Sequence, residues 1–256
     1  MRPRQEQLVV VGNEPVGSYT LLRVARGPVD PGQPGQFFML ATRERLLPRP
    51  MSLCLAPAGE LGFLIDPIGP GTRGLCDAAR GERITVFGPL GHGFRLDVAH
   101  PVIVGGGIGM APLPFLAERL PGAPALLGFR SRELAEASAL LPGAEVVVEP
   151  TLVTEPLTSL LASEGDITPF ACGPEPMLRA VGALSPRARL AWEAPMACGY
   201  GACFGCAVAV DGALVRLCVE GPVLEAARVE VAVLPAGGLR SPSGAASLAS
   251  RGKAAA

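Results

Sequence analysis

Between residue 1 and about residue 97 the apolar positions fall in short runs. Leu8–Val11, Ser18–Val24, Gln36–Ala41, Ser52–Leu55, Leu61–Ile65 and Arg83–Phe87 are rich in Val, Leu, Ile and Phe, and Gly, Pro, Asp and Asn separate them. Runs this short and this closely spaced predict strands, and their number predicts a barrel or sandwich. One short helix is expected at about Thr72–Ala79, with Thr72 as its N-cap.

From about residue 98 the rhythm changes. Val102–Val104 reads as a buried strand, followed by a Gly-rich turn and a helix to Leu120. Ala125–Phe129, Glu145–Val148 and Thr168–Cys172 read as further strands, and Arg132–Leu140, Thr158–Ser163 and Pro174–Leu184 as helices. Strand–helix alternation of this kind predicts a parallel sheet with helices on its faces. A third region, about 191–232, holds four of the seven cysteines. The Gly-, Ala- and Ser-rich stretch 233–256 is expected to be a disordered tail. The fold class is therefore multidomain β plus α/β, divided at about 1–97, 98–190 and 191–232.

Composition narrows the function. The chain has 256 residues, 49% of them hydrophobic, and a net charge of −1. Near-neutral charge gives no field to draw nucleic acid or anionic lipid. Nine Phe, two Tyr and one Trp leave few rings for stacking bases. The longest apolar run, Pro101–Leu116, is broken by glycines and prolines and falls short of a spanning helix. No apolar signal stretch follows the opening Met-Arg-Pro-Arg-Gln-Glu-Gln. A soluble, cytoplasmic protein with neither nucleic acid nor membrane as partner is expected.

Seven cysteines is an odd number in a chain too long for a disulfide scaffold. Cys198, Cys203, Cys206 and Cys218 are spaced C-x4-C-x2-C-x11-C. This is the plant-type [2Fe–2S] spacing. Two bridged irons need four thiolates. One loop can wrap the cluster with three, and the fourth is expected from the strand Leu214–Cys218. Gly199, Gly201 and Gly205 would let backbone N–H groups approach the sulfurs. Structural zinc is the rival reading, although zinc sites usually pair two short knuckles or include His. Cys54 and Cys76 read as small core residues.

Two elements of the first region suit a flavin nucleotide. In Arg49-Pro50-Met51-Ser52, Arg offers a bidentate donor to a diphosphate, and Ser a hydroxyl near the ring. Gly69-Pro70-Gly71-Thr72 leads into the short helix, whose free N–H groups make an anion site. An ordinary strand start and an ordinary cap are the structural alternatives.

The second region carries nicotinamide signals. The glycines Gly105, Gly106, Gly107 and Gly109 follow a strand, where a diphosphate can rest. The run is not G-x-G-x-x-G, because residue 110 is Met, and Arg130 and Arg132 stand where an acid usually follows the second strand. Cys172-Gly173-Pro174 ends the last strand, so Cys172 could sit beside a nicotinamide ring as the catalytic residue. A tight turn with close packing is the lesser alternative for the glycines, and a buried thiol at a strand end a nearly equal one for Cys172.

These motifs, with Gly88-Pro89-Leu90-Gly91-His92-Gly93-Phe94 and Met196-Ala197-Cys198-Gly199-Tyr200-Gly201-Ala202-Cys203, occur in one order. That order resembles the electron-transfer subunits of NAD-dependent heteromeric dihydroorotate dehydrogenases, over roughly residues 5–232. The resemblance implies an antiparallel FAD-binding β-barrel, an α/β nicotinamide domain and a small cluster domain. It implies FAD held by Arg49, Pro50, Met51, Ser52, Leu64, Ile65, Asp66, Gly71 and Thr72, and a [2Fe–2S] cluster on the four cysteines. NAD is the implied acceptor. The implied partner is an FMN-containing dihydroorotate dehydrogenase catalytic subunit, in a two-plus-two heterotetramer serving de novo pyrimidine (UMP) biosynthesis. At Asp66 members of that family often carry Arg, and the segment Val148–Thr154 is abbreviated. The cluster region is expected at the partner interface, with Phe204, Val208 and Leu217 as its apolar surround. Other readings are a flavin/iron–sulfur reductase subunit of a hydrogenase or a ferredoxin:nicotinamide transhydrogenase, and a non-catalytic redox-sensing module.

Overall fold

The structure is a computed structural model and describes residues 3–43 and 47–229. The expected tail and residues 230–232 lie outside the described residues.

The first sheet is antiparallel. It comprises β1 (Arg4–Val16), β2 (Tyr19–Ala25), β3 (Phe37–Ala41), β4 (Arg49–Ser52), β5 (Glu60–Ile65) and β6 (Arg83–Leu90), in the order β4-β3-β6-β1-β2-β5. The fourth strand falls on Arg49–Ser52 and not on Ser52–Leu55, because Met39 pairs with Pro50 and Phe37 with Ser52. Helix α1 (Pro70–Cys76) both starts and ends a few residues earlier than expected. Its N-cap is Gly69. Thr72 sits inside the first turn, where its hydroxyl accepts the Gly69 N–H at 3.0 Å.

Strands β3 and β5 are buried on both faces, for a physical reason. Phe38, Leu40, Phe63 and Ile65 fill the barrel core, where Phe38 and Phe63 meet edge to face at 5.6 Å. Their neighbours point the other way. Phe37 and Met39 join a core with the cysteine region, while Tyr19, Leu21 and Leu64 join one with the second sheet. Side chains alternate across a strand, so one strand serves two cores.

The second sheet contains β7 (Pro101–Gly106), β8 (Ala125–Phe129), β9 (Glu145–Val148), β10 (Thr168–Cys172), β11 (Arg189–Ala191) and β14 (Val223–Glu225), in the order β14-β11-β10-β7-β8-β9. All neighbours are parallel except β11 and β14. From β7 the chain runs outward through β8 and β9, then returns to the other side of β7 as β10. That reversal is a topological switch point, where open α/β sheets bind ligands beyond the strand ends. The expected single helix to Leu120 is a 3-10 turn at Gly107–Met110 followed by the short α2 (Leu113–Ala117), because prolines at 112 and 114 interrupt it. Helices α3 (Arg132–Ala135), α4 (Thr154–Glu164) and α5 (Glu175–Leu184) complete the layers.

The cysteine region adds a hairpin, β12 (Ala207–Val210) with β13 (Ala213–Arg216), before the chain returns to the second sheet as β14. The motif 88–94 joins these parts. Gly91 is left-handed, and the His92 N–H donates to the Gly221 carbonyl. No helix among the described residues is long and apolar enough to cross a membrane.

Candidate functional site

Two cavities and one loop make up the site. The smaller cavity, about 240 Å³, lies between the two sheets. Pro50, Met51, Ser52, Leu64, Asp66 and Thr72 line its barrel side, and Gly109 and Cys172 line its other side. The larger cavity, about 490 Å³, lies beyond the carboxyl ends of β7 to β10. Gly106, Gly107, Arg130, Glu149 and Pro174 line it. Asp66 and Ile108 line both, so the cavities adjoin.

Arg49 and Gly71 lie far apart in sequence and together in space. A β-carbon at Gly71 would collide with the Arg49 guanidinium. The two anion-binding elements thus form one cradle. Arg49 Nη1 donates to the Leu47 and Pro48 carbonyls at 3.3 Å each, and no carboxylate pairs with it among the described residues. A guanidinium held by its own backbone and lacking a counter-ion suits a diphosphate.

The glycines divide their tasks. Gly105 lies within β7, where an added Cβ would be 2.6 Å from both Leu113 and Leu127, so it serves packing and lines neither cavity. Gly106 lies over Met177 and Pro174. Gly109 is pressed against the backbone of Gly173, so the two loops at the switch point touch main chain to main chain. Ile65 is turned into the barrel core.

Cys172 lines the smaller cavity and not the larger. Burial, with Glu193 nearby, pushes its thiol well above the usual range. That direction favours the neutral thiol, against a role as base or thiolate nucleophile. Burial also raises the carboxyl of Asp66, and burial and then Asp66 push the Tyr19 phenol up to about 12.

Two residues of this cavity escape a motif search. Trp192 is buried and lines the cavity, and its indole N–H has no partner among the described residues. Glu193 exposes its surface to the cavity, while the protein packed around it raises its carboxyl. Neither has a spacing signature. Only their place after β11 brings them to the cleft.

The four cysteines converge as two pairs. Cys198 and Cys203 are linked by a side-chain hydrogen bond. The Cys218 N–H donates to Cys206 Sγ at 3.4 Å. Burial opposes a Cys198 thiolate, but the N–H groups of Tyr200, Cys203 and Ala202 and the Cys203 thiol outweigh it and hold Cys198 down to about 6. Burial, and then Cys206, push Cys218 up to about 12. A bound metal would reverse that shift, since coordinated thiols deprotonate. Gly199 and Gly201 have positive φ, which exposes consecutive N–H groups to Cys198. Cys218 falls in the turn after β13 and not in the strand, which ends at Arg216. Val208 and Leu217 are buried within the chain, and Phe204 is 57% exposed on its surface.

The donor set fits a binuclear cluster better than zinc. Zinc sites usually pair two short knuckles or include His, and the loop 198–218 does neither. Two pairs of thiols, with N–H donors around one of them, match two irons.

An antiparallel barrel, a parallel sheet with a switch-point cavity and a cysteine loop between them define a ferredoxin-reductase-like fold. A chain of the NADH-dependent reduced ferredoxin-NADP oxidoreductase superposes with a TM-score of 0.74 at 22% identity, over 88% of this chain and 90% of that one. The Amycolatopsis cytochrome P450 reductase GcoB gives 0.58 at 23% identity, over 71% and 66%. Residues 193–230 match the iron–sulfur cluster binding domain of dihydroorotate dehydrogenase B. The dihydroorotate dehydrogenase B (NAD(+)) electron transfer subunit of Geobacillus sp. (strain WCH70) is 34% identical over 88% of this chain and 98% of its own length. That of Bacillus caldolyticus is 35% identical over 77% and 86%. The chain belongs to the family of dihydroorotate dehydrogenase B (NAD(+)) electron transfer subunits.

Proposed function

We propose that this chain passes electrons from an FMN-containing dihydroorotate dehydrogenase catalytic subunit, through a [2Fe–2S] cluster and FAD, to NAD⁺. One observation carries this reading: the three sites are contiguous. The larger cavity meets the smaller at Asp66 and Ile108, and the smaller reaches Met196, two residues before Cys198. The cysteine loop also presses on the barrel, where a Cβ at Gly199 would lie 2.5 Å from Met39 Cγ.

FAD supplies the exchange between two-electron hydride and single-electron chemistry. The residues supply binding and shape. Arg49, backed by Gly71, takes the flavin diphosphate, with Thr72 beside it. Pro50, Met51, Ser52, Leu64 and Asp66 form the barrel wall, and Ile65 anchors that wall from the core. Asp66 brings an acid to the flavin and leaves backbone contacts as its contribution. Gly106, Gly107 and Pro174 bring backbone close to the nicotinamide dinucleotide, Gly109 and Gly173 join the two loops beside it, and Gly105 packs beneath them. Cys172 closes the floor of the flavin cleft as a neutral thiol. Cys198, Cys203, Cys206 and Cys218 would hold the cluster.

The domain divisions at about 97 and 190 belong to this proposal, as do the two-plus-two assembly and a place in UMP synthesis. So does a cytoplasmic location, because thiolate ligands need a reducing compartment.

The test is the absorption spectrum of protein purified without oxygen, with the co-purifying subunit identified. Flavin bands with broad cluster absorbance, and a dihydroorotate-oxidising partner, are expected. A colourless protein with stoichiometric zinc overturns the reading.

A further inference from the structure

Arg216 closes β13, two residues before Cys218, and makes contacts in two directions. Towards the three-cysteine loop, its Nη1 donates to the Gly201 carbonyl at 3.2 Å. Its guanidinium carbon lies 5.1 Å from the centroid of the Phe204 ring. Phe204 stands between Cys203 and Cys206 in the left-handed region, with φ 57°, a conformation a side chain rarely adopts unaided. A cation on its ring face helps to hold it there.

Towards the turn of the fourth cysteine, Arg216 Nη2 donates to Glu220 Oε1 at 2.7 Å, and its backbone N–H donates to Glu220 Oε2 at 2.6 Å. The Arg216 carbonyl accepts the N–H groups of Val219 and Glu220 at 2.9 and 2.8 Å. These bonds close the turn that carries Cys218. Gly201 leaves the room for this join, since an added Cβ would be 2.6 Å from Val219 and 3.2 Å from Arg216 Nη1. One side chain therefore fastens the loop of three cysteines to the turn of the fourth.

We propose that Arg216 is a positioning residue of the cluster site, which locks the two ligand-bearing segments together and raises the cluster's reduction potential by its charge, with Glu220 opposing it. The inference rests on the reading of the four cysteines as cluster ligands. The electrostatic sign follows from the electron count. A cluster on four thiolates is anionic and gains one more negative charge when it takes one electron. A fixed cation nearby lowers the energy of the reduced form more than that of the oxidised form. Arginine keeps its charge at every accessible pH, so the bias is permanent. Solvent weakens it without reversing it. The carboxylate of Glu220 acts in the opposite sense and partly offsets it.

The experiment is a redox titration of the full chain followed by electron paramagnetic resonance, with iron counted per chain. The unaltered chain should give a reduced-cluster signal. Its absence overturns the cluster reading itself, and this inference with it. Given the signal, Arg216→Gln should lower the midpoint potential, and Glu220→Gln should raise it. Arg216→Lys, which keeps the charge, should stay nearer the unaltered value than Arg216→Gln does. Unchanged potentials in the two glutamine variants overturn the proposal, as does a lysine variant that falls as far as Arg216→Gln. If Arg216→Gln fails to load iron, Glu220→Gln decides alone, and no upward shift there is decisive against it.

Discussion

The guanidinium of Arg49 occupies the space that a β-carbon on Gly71 would need. Strand β4 and helix α1 therefore present one cation and one helix start to the same point. Arg49→Ala should weaken FAD binding roughly 10–100-fold, the cost of about 1.5–3 kcal/mol for a charged hydrogen bond. Gly71→Ala should also weaken it by displacing Arg49, while Ala favours the helix and spares stability. Flavin fluorescence titration of the apoprotein reads both. Unchanged FAD affinity in both variants would show that this cradle holds no diphosphate.

The pairing of Cys198 with Cys203 and of Cys206 with Cys218 predicts equal sensitivity at all four positions. A serine at any one should remove the iron signal and partner-linked turnover, while bound FAD remains. Iron and flavin analysis on each variant checks this. Turnover that survives Cys203→Ser would take the cluster off the path.

Burial raises the carboxyls of Glu193 and Asp66. The folded chain then holds protons at a pH where the unfolded chain has lost them. Stability must fall as pH rises from the ordinary carboxylate range through the folded values, and level off above them. Glu193→Gln removes one such proton and should flatten the slope in the apoprotein. Urea unfolding at a series of pH values gives the comparison, and parallel slopes would refute the Glu193 contribution.

Gly109 touches the Gly173 backbone where the two switch-point loops meet. Gly109→Ala should cost about 1–3 kcal/mol, because neither backbone can move aside cheaply. Thermal unfolding should show a lower Tm, with loss of nicotinamide binding. An unchanged Tm would mean that the loops part easily.

Arg130 lines the larger cavity and lies away from the smaller one. Arg130→Ala should weaken nicotinamide dinucleotide binding about tenfold and leave FAD affinity unchanged. Titration with NADH and NADPH measures it. A matched loss for both dinucleotides places Arg130 at the shared diphosphate, and a selective loss for NADPH places it at the 2′-phosphate. No loss for either removes it from the site.

Much of this protein is legible from local pattern. The strands at 125–129, 145–148 and 168–172 follow from short apolar runs, and the cysteine loop from its spacing, because both signals are local. Where the reading failed, a local cue competed with a distant one. Ser52–Leu55 is apolar enough for a strand, yet pairing with β3 places the strand on Arg49–Ser52.

The sequence by itself determined which chemistry this chain carries: four thiols at a cluster spacing, an Arg and a Gly-Thr turn for a diphosphate, and glycines at a strand end. Only the tertiary structure decided how these meet. It gave β3 and β5 two buried faces, set Arg49 against Gly71, brought the four cysteines together and placed Trp192 and Glu193 on the cavity between the sheets. The reason is physical. Spacing along the chain fixes what one loop can hold, whereas contact between distant segments depends on which layers pack together, and no periodicity encodes that.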